Sequence, residues 1–457
     1  MTRVLIVTGG PIGDRMAGPS IRSWHQARVL AADGHEVRLV TTAGLDPESS
    51  AVTHVAWASL AIQPGDARAF GEQERWAEVV VVQGHAVEHF PVLASTDRAL
   101  VADCYDPMHL EMLEQGRAEP RATWELMVDS RTELLNQQLA IADLVLCASD
   151  RQRHFYLGQL AALGRLTPEA YEDDPHLARL LAIAPYGLEP AAPVRAATPV
   201  IRGVVEGIGP EDRLLVWGGG VYPWFDPATL VRATAALAER RPETRLLFLG
   251  TRTPGIPPMG VVAESIELAR ELGALDRSVF FGEGWVPYTE RGAWLAEADA
   301  GVSTHHVHLE TEFSFRTRIL DYLWAGLPMV VTEGDAFAEL VAREGLGLVV
   351  PAGDVDALAE ALERVLYDEG LRASAAAAIA RVREGFVWET TMRPLRDFVA
   401  APHVAAPFRE GRRPPRLAGA ARPATGLRRD IKLAWHFLRN GGVGEVARRV
   451  RARRARG

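Results

Sequence analysis

The chain has 457 residues, 48% of them hydrophobic and 24% charged, which is typical of a globular protein but too long for one compact core. Two large domains are therefore expected. Two cysteines, Cys104 and Cys147, exclude a disulfide framework, and neither lies in a Cys-x-x-Cys pair, so a reducing cytoplasm is expected. The opening residues lack a basic leader, and no run reaches the roughly 18 apolar residues of a membrane span, so we expect neither a signal peptide nor a spanning helix.

Charge is distributed unevenly along the chain. Residues 401–457 contain fourteen Arg and one Lys against three acids, a net charge of +12, whereas the first 400 residues carry −21. Lys432 is the only lysine. Any cation that serves a phosphate within the folded body must therefore be arginine.

Two alternations of strands and helices follow one another. The first predicts helices at residues 21–33 and 124–142 and strands at residues 4–8, 36–41, 79–83, 99–103 and 144–148. A Pro- and Ala-rich stretch, residues 189–198, predicts a linker. The second predicts helices at residues 227–240 and 355–367 and strands at residues 213–217, 245–249, 279–281, 300–303, 329–332 and 347–350.

Continuously apolar strands favour parallel sheets covered on both faces. We therefore predict an α/β protein with Rossmann-like domains at residues 1–195 and 196–400, followed by a basic helical tail at residues 401–457. In facing α/β domains the functional loops lie at the carboxyl ends of the strands, so the cleft between the domains is the expected active site.

Two glycine-rich loops follow the first strand of each domain. Residues 8–20 (TGGPIGDRMAGPS) include Gly18 at a helix start, where free amides favour an anion; the spacing does not match a dinucleotide fingerprint, and a flexible loop capped by Ser20 is the alternative. In residues 217–227 (WGGGVYPWFDP), Gly218, Gly219 and Gly220 can cradle a diphosphate, or can serve a tight turn.

Residues 310–328 (ETEFSFRTRILDYLWAGLP) are the most informative segment. Ser314 can cap a helix that runs to about Ala325. Arg316 and Arg318 lie in its first turn, where cations oppose the helix dipole. An external anion held in front of them explains this placement, because locally inconsistent residues mark functional sites.

The segment resembles the signature helix of the retaining glycosyltransferases of family four, within the glycosyl transferases group 1, in its phrase LDYLWAGLP at residues 320–328. The resemblance extends over residues 3–395, through GPSIR at 18–22, ADLV at 142–145, PYG at 185–187 and GLVVP at 347–351. It implies a GT-B fold, a nucleotide-diphosphate sugar as donor, and no metal or other cofactor.

The resemblance also implies roles for individual residues. Asp321 would contact the ribose, where the family has Glu, and Glu312 the sugar or ribose. Asp106 would lie on the acceptor side, where it could instead be only a helix cap, and His85 is a further cleft candidate that could be structural. A wall for the base is expected from the loop that contains Trp285, Val286 and Tyr288.

The family's Arg and Lys after the first strand of the second domain are missing from residues 217–227. Arg316 and Arg318, with Arg252 as a third candidate, would then neutralise the donor diphosphate. The cluster His305, His306 and His308 is not expected to hold a metal, because neighbouring side chains in an extended loop diverge.

The sequence therefore predicts a retaining glycosyltransferase that works in cell-envelope polysaccharide or glycolipid assembly. The acceptor would be a saccharide or a lipid-linked sugar, and helices within residues 427–456 would hold the protein to an anionic membrane; nucleic acid is not an expected partner. A non-catalytic binding protein, a nucleotide-sugar epimerase and a pseudo-glycosyltransferase remain alternatives.

Overall fold

A computed structural model describes residues 1–251, 260–282, 284, 286–405 and 408. Within these residues, two α/β units follow each other along the chain, as the sequence predicts. No helix in the described part combines the length and the apolar character needed to cross a bilayer. The basic helices predicted within residues 427–456 lie outside the described residues.

The first domain is built on a parallel sheet with strand order β3-β2-β1-β4-β5-β6-β7. Its strands are β1 (Arg3–Thr8), β2 (Glu36–Thr41), β3 (Ala58–Ala61), β4 (Val79–Gln83), β5 (Ala99–Asp103), β6 (Leu144–Cys147) and β7 (Leu181–Ile183). Its helices are α1 (Gly18–Ala32), α2 (Ser50–Thr53), α3 (Ala67–Trp76), α4 (Ala86–His89), α5 (Met108–Gln115), α6 (Arg121–Ile141), α7 (Asp150–Ala162) and α8 (Pro168–Asp173), with a 3-10 turn at Pro91–Ser95. The two edge strands, β3 and β7, were not predicted because they are short and lack an extended apolar run.

The second domain repeats this plan with strand order β10-β9-β8-β11-β12-β13. Its strands are β8 (Arg213–Gly220), β9 (Thr244–Gly250), β10 (Val279–Phe281), β11 (Ala300–Ser303), β12 (Met329–Thr332) and β13 (Gly347–Val350). Its helices are α9 (Pro227–Arg240), α10 (Gly260–Glu271), α11 (Arg291–Leu295), α12 (Leu309–Phe313), α13 (Thr317–Ala325), α14 (Ala336–Glu344), α15 (Val355–Tyr367) and α16 (Glu369–Val382). In each sheet the order reverses beside the first strand, which is where such sheets bind ligands.

Helix α9 shows why local sequence sufficed to place most elements. The Asp226 carboxylate accepts a hydrogen bond from the Thr229 amide at 3.0 Å, and Pro227 occupies the first helical position, so the start of the helix is fixed. Leu230 and Leu237 are fully buried under the sheet. Cap, proline and apolar stripe all indicate the same helix, and its observed bounds match the prediction.

The chain crosses between the domains twice, at neighbouring places. The Leu188 amide donates to the Phe386 carbonyl at 2.8 Å, so the outgoing linker runs beside the returning segment. The return consists of a 3-10 turn (Arg383–Phe386), α17 (Trp388–Thr391) and α18 (Arg393–Ala400). A hydrophobic cluster continues through Trp388 from one domain into the other.

Helix α18 then packs against the first domain. Arg396 forms an ion pair with Asp33 at 2.6 Å, and the Thr2 hydroxyl donates to the Val399 carbonyl at 3.0 Å. The chain stays on this domain beyond α18, because the Ala405 amide donates to Asp143 and Arg165 lies 4.5 Å from the ring centre of Phe408. The first residues of the predicted tail are therefore part of the folded body.

Candidate functional site

A cavity of about 440 Å³ lies between the two domains, at the carboxyl ends of the central strands. Side chains and backbone of both domains line it. The first domain contributes the segment after β1, residues from the end of β5 to α5, and Tyr186; the second contributes the ends of β8 and β9, the loop before α11, and the segment from Glu310 to Asp321. The cleft that the sequence singled out therefore contains a cavity large enough for a small-molecule ligand.

Glycines at the end of β8 form one wall of the cavity. Gly219 has φ +74°, a left-handed conformation that favours glycine, and it is exposed toward the cavity. A Cβ on Gly250 would lie 2.9 Å from the Gly219 carbonyl oxygen, so glycine at the end of β9 lets the two strands close here. Gly218, Gly219 and Gly220, predicted as a diphosphate cradle, thus present backbone to a ligand.

Helix α13 begins two residues later than predicted, with Arg316 and not Ser314 at its N-cap. The Ser314 hydroxyl donates to the Thr311 carbonyl at 3.3 Å, so Ser314 closes the preceding helix α12 and does not cap α13. The residue before α13 is Arg316, and no side chain caps this helix start. Ser314 and Thr317 line the cavity, so the amides at the beginning of α13 lie beside the space where a ligand would bind.

Arg316 forms a buried ion pair with Glu310. Its two terminal nitrogens donate to the carboxylate oxygens of Glu310 at 2.9 and 2.7 Å, and both side chains are buried. The predicted acid, Glu312, is exposed on the other side of α12 and does not line the cavity. Because residues two apart on a helix point in nearly opposite directions, Glu310 faces inward and Glu312 outward. Glu310 therefore takes the cavity position expected for Glu312.

Arg318 is the cation that its surroundings leave available. Its side chain is 7% exposed and lies 4.1 Å from the ring centre of Trp217 and 3.9 Å from that of Phe225. Nη2 donates to the Gly220 carbonyl at 2.7 Å, whereas Nη1 is buried without a hydrogen-bond partner among the described residues. Burial lowers the pKa of Arg318 to about 10, so it remains charged at neutral pH.

Asp321 lines the cavity one turn after Arg318. Its carboxylate lies 3.6 Å from Arg291, whose guanidinium is held over the rings of Tyr288 and Trp324 at 4.5 and 4.9 Å. Burial raises the pKa of Asp321, and Arg291 opposes that shift. This position is open to hydroxyl groups in the cavity, which is what the predicted ribose contact needs.

The base-side loop is only partly described. Val286 and Tyr288 line the cavity as predicted, and the Tyr288 hydroxyl lies 2.6 Å from His25 Nε2 of the first domain. Trp285 and Arg252 lie outside the described residues, so their predicted roles stay predictions. Burial lowers the pKa of His25 well below its usual range, so this histidine is neutral where it meets Tyr288.

The first domain contributes an uncapped helix start and a carboxyl pair. Gly18 opens α1 after Ala17, and no side chain caps this start either. Asp106 and Glu111 of α5 both line the cavity. Burial raises the pKa of Asp106 to about 6, and burial together with the neighbouring Asp106 raises the pKa of Glu111 well above its usual range. Glu111 was not predicted as a site residue, because two acids five residues apart across a helix start do not form a recognisable sequence motif.

Two predicted features lie elsewhere. His85 does not line the cavity; it sits at the end of β4, with Nδ1 2.9 Å from Glu88, because its turn leads away from the cleft into α4. In the histidine cluster, His305 Nε2 lies 3.1 Å from the Glu333 carbonyl and His308 Nε2 lies 3.2 Å from the Trp224 carbonyl. Both rings thus face backbone oxygens.

Comparison with known proteins agrees with this geometry. Residues 212–368 match the family model described as glycosyl transferases group 1. Two D-inositol 3-phosphate glycosyltransferases are 31% and 30% identical to this chain, over 192 residues for that of Actinosynnema mirum and 187 for that of Kribbella flavida. The alignments cover 41% and 40% of this chain and 44% and 42% of those proteins, so less than half of each relative is matched.

Solved structures of the same architecture match most of the chain. Sucrose-phosphate synthase from Thermosynechococcus elongatus has a TM-score of 0.62 at 16% identity, covering 88% of this chain and 98% of its own. HepE of Anabaena, in complex with UDP-glucose, has a TM-score of 0.61 at 15% identity, covering 88% and 100%. The fold is therefore GT-B, and the resemblance to group 1 glycosyltransferases is confirmed by the family model over the second domain.

Proposed function

Because the chain has the GT-B fold and carries a glycosyl transferases group 1 domain, we propose that it is an enzyme that transfers a sugar from a nucleotide-diphosphate sugar to an acceptor hydroxyl. The observation that carries this proposal is the buried Arg318, whose Nη1 has no partner among the described residues, beside the uncapped start of α13. A buried cation whose N–H donor lacks an acceptor destabilises the fold, and a bound anion that accepts this hydrogen bond removes the penalty.

The donor diphosphate would lie between the β8 glycines and the start of α13. Arg318 and the α13 amides would bear the charge that builds up on the leaving nucleotide diphosphate, and the uncapped start of α1 adds a second positive helix end. Arg318 thereby substitutes for the Arg and Lys missing from residues 217–227. These groups already neutralise a leaving phosphate, so the proposal needs no metal or other cofactor.

The remaining polar groups fit the donor's other parts and the acceptor. Asp321 would accept hydrogen bonds from the ribose, with Val286 and Tyr288 beside the base. Asp106 would accept a hydrogen bond from the attacking hydroxyl on the opposite wall. We propose retention at the sugar carbon, with the hydroxyl attacking the face that the diphosphate leaves. A role in envelope polysaccharide or glycolipid assembly follows if the basic tail holds the protein at an anionic surface.

A panel assay tests the activity against the alternatives. Purified full-length protein is incubated with UDP- and GDP-sugars and an acceptor mixture, and released nucleotide diphosphate and glycosylated product are both measured. The proposal expects nucleotide diphosphate and product in equal amounts, with turnover unchanged by EDTA. Epimerised donor sugar indicates the epimerase, and saturable UDP or GDP binding with no turnover on any donor indicates the non-catalytic alternative.

A further inference from the structure

The charges that line the cavity divide between its two walls. Arg291 is paired with Asp321 at 3.6 Å, and Arg316 with Glu310 at 2.7 Å, so these four charges cancel in pairs. Among the described lining residues, Arg318 is then the cation without a carboxylate partner. Asp106 and Glu111 are the acids without a cation of their own. The second-domain wall is therefore positive, and the first-domain wall is acidic.

The acidic wall keeps one negative charge at neutral pH. Asp106 and Glu111 both line this wall, and burial raises the pKa of each carboxyl group, so the two are not both ionised near neutral pH. The pKa of Glu111 is the more strongly raised, so Glu111 holds the proton and Asp106 is ionised above about pH 6. Arg316 is the nearby cation, but both its terminal nitrogens are engaged by Glu310.

An ionised carboxylate accepts hydrogen bonds and cannot donate them. A sugar hydroxyl placed beside Asp106 donates to it, so both groups are satisfied. A phosphate ester in the same place offers only acceptor oxygens and brings like charge next to the carboxylate, which is strongly unfavourable in a desolvated site. Among the charged side chains that line the cavity, the unpaired Arg318 on the opposite wall is the one that favours phosphate.

We propose, on the basis of the glycosyltransferase function above, that the acceptor is an uncharged sugar or polyol without phosphate, and that Asp106 and Glu111 are the residues that reject phosphorylated acceptors. The matched relatives are named for a phosphorylated acceptor, D-inositol 3-phosphate. This chain would therefore differ from them in the class of acceptor that it takes.

The test is a binding titration that does not depend on turnover. Glucose 6-phosphate is titrated by calorimetry into full-length protein saturated with UDP, using wild type and the double variant Asp106→Asn/Glu111→Gln. Wild type should show no saturable binding at millimolar concentration. The double variant, whose amide groups donate to phosphate oxygens, should bind about tenfold more tightly or better. Glu119→Gln/Asp129→Asn removes two exposed acids of the same domain and should behave as wild type.

Each outcome of the titrations either supports the rejection of phosphorylated acceptors by Asp106 and Glu111 or overturns it. Binding to wild type overturns the proposal, as does an equal gain in the Glu119→Gln/Asp129→Asn control. Absence of binding in both wild type and the cavity variant also overturns it, because the acids would then not be the selecting groups. Melting curves show whether each variant is folded. The single variant Asp106→Asn should bind glucose 6-phosphate with an affinity between those of wild type and the double variant. Failure to bind UDP would count against the proposed function, and the titrations repeated without nucleotide still test the acidic wall.

Discussion

Single residues decide what this cavity can bind, and two arginines of one segment show how. Arg316 and Arg318 look equivalent in sequence, both being placed where an anion could neutralise them. Both terminal nitrogens of Arg316 donate to the Glu310 carboxylate, whereas Arg318 has no carboxylate partner among the described residues and its Nη1 has no hydrogen-bond partner there. The difference arises from a carboxylate six positions before Arg316 that folds back onto it.

Nucleotide diphosphate binding should depend on Arg318. We expect Arg318→Ala to weaken UDP binding by about 1–3 kcal/mol, the scale of a charge-assisted hydrogen bond. Arg318→Lys should recover little of that, because an ammonium cannot both reach Gly220 and present a second planar donor. Calorimetry measures both, with Arg68→Ala as the control, since Arg68 is 92% exposed far from the cavity. Wild-type affinity in Arg318→Ala would remove its phosphate role.

Ionisation of Asp106 should produce an acidic limb in the pH–rate profile of the proposed reaction. Its pKa is raised to about 6, so the carboxylate that accepts the acceptor hydroxyl is present above that pH and lost as pH falls through it. We expect kcat/KM for the acceptor to fall below about pH 6, and Asp106→Asn to reduce turnover by about 100-fold and to flatten this limb.

Stability separates this role from a structural one. A carboxyl whose pKa is raised by folding destabilises the native state as pH rises from its ordinary value to about 6. Asp106→Asn removes that cost, so its Tm at pH 8 should equal or exceed that of wild type. A lower Tm together with an unchanged pH profile would show that Asp106 is a structural residue only.

At the scale of elements, the segment from α12 to α13 works as one unit. A short helix is closed by Ser314, the chain turns through Arg316, and α13 starts without a cap beside the cavity. The Glu310–Arg316 pair joins the two helices across this turn. The buried pair therefore holds the uncapped helix start in place, and both of its residues also line the cavity.

Breaking the pair should cost stability, whereas changing its exposed neighbour should not. Glu310→Gln removes the carboxylate that accepts two hydrogen bonds from the buried Arg316 and leaves it only Asp335, 3.9 Å from its Nε, so we expect a loss on the order of 3 kcal/mol in the free energy of unfolding. Glu312→Gln, two residues later and exposed, should lie within about 0.5 kcal/mol of wild type. Urea unfolding at pH 7.5 measures both. Equal losses would contradict the special stabilising role assigned to the buried Glu310–Arg316 pair.

At the scale of the whole molecule, two parallel sheets face one another across the cavity, and two adjacent crossings connect them. Near the crossings, the His25 ring stacks on Trp388 at 4.5 Å and contacts Tyr288 of the second domain. Loops of both domains thus meet beside the cavity, at the side where the chain returns. If these loops close further over a bound donor, they would exclude water, which the proposed transfer needs because hydrolysis would compete with it.

The basic tail gives the whole molecule a testable property. Residues 427–456 lie outside the described part, and the folded body is strongly acidic, so membrane attachment would have to come from the tail. The full chain should float with anionic liposomes at low salt, and a chain truncated after Phe408 should not. That end point keeps the Ala405 and Phe408 contacts with the first domain. If both chains float, or neither does, the tail is not an anchor.

The layered architecture could be predicted from the sequence, because strand runs, caps and helix stops are local signals. It placed β4 and α9 with their observed bounds, and it located the cavity through the glycines after β8 and the segment that begins α13. It erred where two local signals compete: Ser314 carries a hydroxyl suited to starting a helix, but in the fold that hydroxyl closes the helix before it.

Only the tertiary structure decided which polar groups meet. Helix phase decides that Glu310, and not Glu312, faces the cavity and binds Arg316. Burial decides that Arg318 has an unpaired nitrogen and that Asp106 and Glu111 lie together on one wall. His85 lies outside the cavity because the turn that contains it leads into α4 and away from the cleft. Glu310 and Arg316 are only six positions apart, so separation along the chain does not select the pair; the cost of burying an unpaired charge does, and that cost exists only in the folded protein.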